Sequence, residues 1–231
     1  ATIGACRFNI PSLSFAGTPI EQAGCLLQKV EWKGELKPQK LPRVLRALLS
    51  GEHGLPAPFL EAALAQFPDH YRPYAAEHAN DPASSTEAGV PVRYFVIHDT
   101  STPFLGNARF PRHLDRDPQV NAFDAYLAKE PVAHIFLNRY GQIWPGHDFS
   151  RAWRATKLET RIVGVPARGR FVHIELVQPR RHSPGSASLG DTLAPKPGFS
   201  KEQYRQLAAL YVYASARAGE WLVPAFHATV D

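Results

Sequence analysis

Three runs of β-branched and aromatic residues constrain the fold of this chain more than any other feature. They lie at residues 92–97, 132–137 and 171–177, and runs of this kind read as core strands. Asn138, Arg139, Tyr140 and Gly141, followed by Gln142, Ile143 and Trp144, read as a hairpin turned at Gly141. Helical patterns alternate with these strands. Pro118 begins one that carries Val120, Phe123, Tyr126 and Leu127 on one side. Ser200 with Gln203 makes a capping-box signal ahead of a stripe formed by Tyr204, Leu207, Leu210, Tyr211 and Ala214. A short strand at 222–226 follows. The expectation is an α/β fold with a mixed central β-sheet flanked by helices.

The strands are preceded by a segment of different character. Residues 1–78 read as an N-terminal helical extension. Val44, Leu45, Leu48 and Leu49 recur at helical spacing before Gly51, and Phe59, Leu60, Ala63, Leu64 and Phe67 do so between Pro58 and Pro68. The two segments are expected to form a helical hairpin. Residues 79–89, rich in small and polar types without an apolar period, read as a linker, and residues 90–231 as the main domain. Residues 180–198 read as a long loop.

With 44% hydrophobic and 20% charged residues, global disorder is excluded. No apolar run is long enough to span a bilayer. The net charge of +5 is spread along the chain, and the single cluster of Arg180, Arg181 and His182 makes no stripe with interleaved aromatics, so nucleic acid is not an expected partner. Cys6 and Cys25 are the only cysteines, and two readings stay open: a disulfide suited to an oxidising compartment, or two buried thiols. The chain has no Met and begins at Ala1. Removal of an export signal leaves such a small residue, as would a trimmed boundary. A periplasmic or secreted location is the expectation.

Two histidines stand at strand ends, His98 after Val96 and Ile97, and His227 after Phe226. They could meet on one metal, since neutral imidazole is a common zinc ligand. Glu175 sits within an otherwise apolar strand. A buried carboxylate there must be paired or protonated, which makes it a candidate general base, unless it alternates onto a solvated face together with His173. His134 shares a face with Phe136, and Trp153 is either core or a groove wall.

Taken in order, these residues resemble the type-2 N-acetylmuramoyl-L-alanine amidases, zinc hydrolases that share a fold with phage lysozyme-amidases and peptidoglycan recognition proteins. The resemblance is carried by Val96-Ile97-His98-Asp99-Thr100, by Ala133 through Ile143, by Arg151-Ala152-Trp153, by His173-Ile174-Glu175-Leu176, by the helix containing Gln203 and by Phe226-His227. It implies that His98 and His227 bind Zn2+, that Glu175 assists the attacking water, and that His134 lines the site. The implied substrate is the amide between N-acetylmuramic acid and L-alanine in peptidoglycan or its muropeptides. The alternative is a non-catalytic peptidoglycan-binding module of the same fold.

The chain departs from the resemblance in two places. Relatives carry an Asp or Cys ligand several residues beyond the second histidine, whereas Asp231 lies only four residues past His227 and is the last residue. Either Asp231 substitutes as third ligand, or the ligand lies on a missing or cleaved C-terminal segment that stays bound as a partner, or the metal site is lost. The second reading is favoured. Arg154 stands where many relatives have histidine, and it either meets a carboxylate of the stem peptide or is solvated.

Overall fold

The computed structural model describes residues 2–3, 6–31, 35–51, 54–127, 130–186 and 192–231. The chain opens with a small antiparallel meander of β1 (Thr2–Ile3), β2 (Cys6–Asn9) and β3 (Ser14–Phe15). Next come α1 (Pro19–Leu26), the hairpin of β4 (Lys29–Val30) and β5 (Leu36–Lys37), and three helices, α2 (Arg43–Leu49), α3 (Ala57–Gln66) and α4 (Arg72–Glu77). The expected helical extension is therefore helical only in part. Its strands are two to four residues long, too short to print an alternation on the sequence. Thr18 and Glu21 close a capping box on α1. Cys6 and Cys25 are joined in a disulfide with Cα atoms 5.9 Å apart, tying β2 to α1. Closing a loop of this size stabilises the fold by about 3 kcal/mol. Ala1, on which the expectation of processing rests, lies outside the described residues.

Besides short helical turns at Leu114–Arg116, Leu158–Ile162 and Val165–Ala167, the elements that follow are β6 (Tyr94–Asp99), α5 (Pro118–Asn121), α6 (Asp124–Leu127), β7 (Ile135–Leu137), β8 (Ile143–Pro145), β9 (Phe171–Leu176), β10 (Arg181–His182), β11 (Thr192–Leu193), α7 (Lys201–Ala218), β12 (Val223–Phe226) and α8 (His227–Val230). The helix expected from Pro118 is thus two short helices, separated where Ala122 takes an extended conformation; the side chain of Leu127 lies outside the described residues. The expected loop at 180–198 carries the β10–β11 hairpin, and its residues 187–191 lie outside the described ones. The central sheet runs β12-β6-β9-β7-β8, parallel except for β8, whose antiparallel pairing with β7 is the hairpin expected at Gly141. Gly141 has φ +82°, the left-handed conformation that glycine adopts without strain.

The helical hairpin expected of α2 and α3 does not form. α3 lies along α7, and α2 packs on α1. Nor are residues 79–89 a linker. Ser84 and Thr86 are buried. The Ser84 amide donates to the Phe149 carbonyl (2.8 Å), its hydroxyl donates to the Gly169 carbonyl (3.1 Å), and the Ala83 amide donates to the Arg217 carbonyl (3.0 Å). A Cβ on Gly169, whose φ is +93°, would stand 2.2 Å from the Ser85 carbonyl oxygen. Small polar residues here let backbone run against backbone; the same composition in sequence is indistinguishable from a loop.

The two faces of the sheet differ. One carries Phe95, Val172, Ile174, Leu176, Ile135 and Leu137 and is covered by α7 and α3 through Leu210, Tyr213, Ala214 and Ala63. The other carries Tyr94, Val96, Phe171, Val223 and Ala225 and is covered by Phe8, Phe15, Ala23 and Leu26 of the N-terminal segment. Each fully buried side chain of this size contributes about 1.5–3 kcal/mol. The extension is therefore part of the core. On α7 the buried face is rotated from the expected stripe: Tyr204 is exposed, while Gln203 and Gln206 are buried. The Gln203 amide donates to the carbonyls of Leu137 (3.2 Å) and Val177 (2.9 Å) at the ends of β7 and β9, a use of a polar side chain that an apolar count cannot register. Among the described residues, no helix is long and apolar enough to cross a membrane.

Candidate active site

Along the second face the strands change character toward their C-terminal ends. In β6 the face reads Tyr94, Val96, His98, and in β9 it reads Phe171, His173, Glu175; the register sets Val96 beside His173 and His98 beside Glu175. The β12–β6 pairing carries the chain past Ile97 and delivers His227, the first residue of α8, to the same place. The rings of His98 and His227 lie 4.5 Å apart between centroids. The two residues are distant in sequence and neighbours in the fold.

His98 is 2% exposed. Burial holds its imidazole well below the usual histidine range, and the neighbouring rings of His173, His227 and His134 push it the same way. It is a neutral ring with Nδ1 3.7 Å from Glu175 Oε1. Glu175 is largely but not fully buried, its side chain 13% exposed, and its buried Oε2 has no hydrogen-bond partner. Burial raises its carboxyl to about 7; Asp99 adds to the rise and His227 opposes it. A carboxylate poised near neutrality and left with a free oxygen is suited to moving a proton. The alternative of a solvated face for Glu175 and His173 does not apply, since His173 is fully buried.

Asp231, one of the candidates for the third ligand, is paired with His227. Its Oδ2 is 2.7 Å from His227 Nε2, and its Oδ1 accepts the amides of Lys157 (2.7 Å) and Leu158 (3.4 Å). Among the described residues there is no group of three His, Cys, Asp or Glu that could hold a metal ion. His98 and His227 nevertheless bring two imidazoles, a ligand type that zinc takes, to one place, with the unpartnered Oε2 of Glu175 on the same face. Asp99 turns away from this centre, into an ion pair with Arg180 and a turn in which its Oδ1 accepts the Ser101 amide (2.7 Å).

The other expected residues lie farther back. His134 is fully buried, its Nε2 donating to the Arg151 carbonyl (3.0 Å) and its Nδ1 accepting the His173 amide (3.0 Å). Burial and the nearby His173 lower its pKa to about 3. Both ring nitrogens are occupied, so it braces β9 from behind. Trp153 is 7% exposed, its ring between His147 (4.1 Å) and the guanidinium groups of Arg151 (4.6 Å) and Arg154 (5.0 Å). Its indole nitrogen is buried without a partner. Arg154 is exposed, three residues before the Lys157 amide that holds Asp231.

One participant escaped the sequence reading. Glu159, fully buried, lies 3.1–3.2 Å from His173 Nε2. The available signal was the spacing Thr156-x-x-Glu159, which forms a reciprocal capping pattern.

Fold and centre together define an α/β protein whose acid and imidazole groups gather beyond the carboxyl ends of parallel strands, the usual place for a ligand site in such sheets. Residues 88–224 match the family described as N-acetylmuramoyl-L-alanine amidase, and the chain belongs to that family of peptidoglycan amidases. The match ends three residues before His227. No curated protein and no solved structure matches the chain.

Proposed function

We propose that this protein hydrolyses the amide joining N-acetylmuramic acid to L-alanine in peptidoglycan stem peptides, and that it does so with zinc. The observation that carries the reading is the buried, unpartnered Oε2 of Glu175 beside two imidazoles, in a chain of the amidase family. His98 and His227 would hold the metal. Zinc, when bound, supplies Lewis acidity to the scissile carbonyl. Glu175 accepts the proton of the attacking water on Oε2 and returns it to the departing amine of L-alanine. His98, buried and neutral, offers an unprotonated nitrogen rather than a competing charge. Arg154, exposed beside Trp153, would meet a carboxylate of the stem peptide. The Cys6–Cys25 disulfide supports a periplasmic or secreted location, where such a substrate lies.

The test is Glu175→Gln assayed on muropeptides by mass spectrometry of released peptide. The expected outcome is a kcat about 10²–10⁴-fold lower with zinc affinity retained. Full turnover in the variant would remove Glu175 from the mechanism. Muropeptide binding without release by the wild type would instead identify a binding module.

A further inference from the structure

We propose that Glu159 is a positioning residue that acts through His173 to fix which nitrogen of His98 carries its proton. Glu159 is fully buried, and three donors converge on its Oε2: the amides of Ala155 (3.0 Å) and Thr156 (3.2 Å) and the Thr156 hydroxyl (3.0 Å). They fix it as an acceptor. His173 Nε2 lies 3.2 Å from Oε1 and 3.1 Å from Oε2, so the proton of His173 sits on Nε2. That leaves His173 Nδ1 as a lone pair, 3.1 Å from His98 Nε2. His98 must then donate from Nε2, and its own lone pair is on Nδ1, the nitrogen that faces Glu175.

The direction of each bond in this chain follows from the one before it. His134 holds the middle ring in place by taking the His173 amide and stacking on its imidazole at 5.6 Å between centroids. The consequence for zinc rests on the function proposed above: a bare Nδ1 is what a metal ligand needs, and residues behind a ligand typically change metal affinity about 10–100-fold when altered.

Glu159→Gln tests the direction of the chain while preserving its shape. The three donors on Oε2 demand an oxygen, so the new NH2 must turn toward His173. His173 then has to accept on Nε2 and carry its proton on Nδ1; His98 accepts on Nε2, and its proton moves to Nδ1. Long-range 1H–15N spectra of the metal-free protein read these tautomers without substrate or metal. The expected result is Nε2–H on both rings in the wild type, Nδ1–H on both in Glu159→Gln, and zinc affinity in the variant about 10–100-fold lower by chelator competition. Unchanged tautomers in a folded Glu159→Gln protein, or wild-type zinc affinity there, would overturn the proposal. Should the variant fail to fold, the wild-type spectrum alone decides: Nδ1–H on His98, or a doubly protonated His173, overturns it. The predicted tautomers in a protein that binds no zinc would count against the amidase reading and leave the relay standing.

Discussion

The two faces of the central sheet share the same strands and differ in what they are for. One is apolar from end to end, with Phe95, Ile135, Val172, Ile174 and Leu176 sealed beneath α7 and α3. The other is apolar only over its first half, under the N-terminal segment, and then turns to His98, His173 and Glu175. Burying ionisable groups is unfavourable without partners, and the second face bears that burden only where each group but one is matched. His173 has Glu159, His134 has a carbonyl and an amide, Asp231 has His227 and two amides. The exception, the free Oε2 of Glu175, is the group assigned to chemistry.

The contrast can be broken in graded ways. The largest effect is expected on the polar face: His98→Ala and His227→Ala each abolish zinc binding and peptide release, measured by metal analysis and by the muropeptide assay, with the fold retained by circular dichroism. Leu210→Ala, beneath the apolar face, has the opposite profile. It removes about 2–5 kcal/mol of stability in urea unfolding and leaves KM unchanged. Loss of substrate binding in a folded Leu210→Ala protein would show that the two faces are not independent.

A smaller effect separates the faces by pH. The Glu175 carboxyl stands at about 7 in the folded protein against an ordinary 4.5. The folded state therefore keeps a proton that the unfolded chain has released in this window. Stability is fully present below pH 4.5 and declines as pH rises through 7. In chelated protein, urea midpoints at pH 5 and pH 8 should differ by more in the wild type than in Glu175→Gln. Equal differences would show that Glu175 titrates as it does in water.

The apolar face was legible in the sequence because continuous runs such as 171–177 announce it; two strand ends singled out His98 and His227, and a carboxylate within an apolar run singled out Glu175. What stayed hidden was hidden for physical reasons. The meander at β1–β3 is too short to show a period. Ser84 and Thr86 look like loop residues because close backbone packing and exposure call for the same small types. Gln203 and Glu159 are buried polar groups that, besides their local capping bonds, have partners on distant strands, and no local pattern reports a partner so far away. Asp231 was legible as a carboxylate near the second histidine but not as one paired with it.

The most direct test of the central claim is the zinc content of the purified protein, measured alongside release of L-alanyl peptide from muropeptides before and after chelation. The account predicts about one zinc ion per chain and release that chelation abolishes and zinc restores. Release that persists undiminished in fully chelated protein would contradict it.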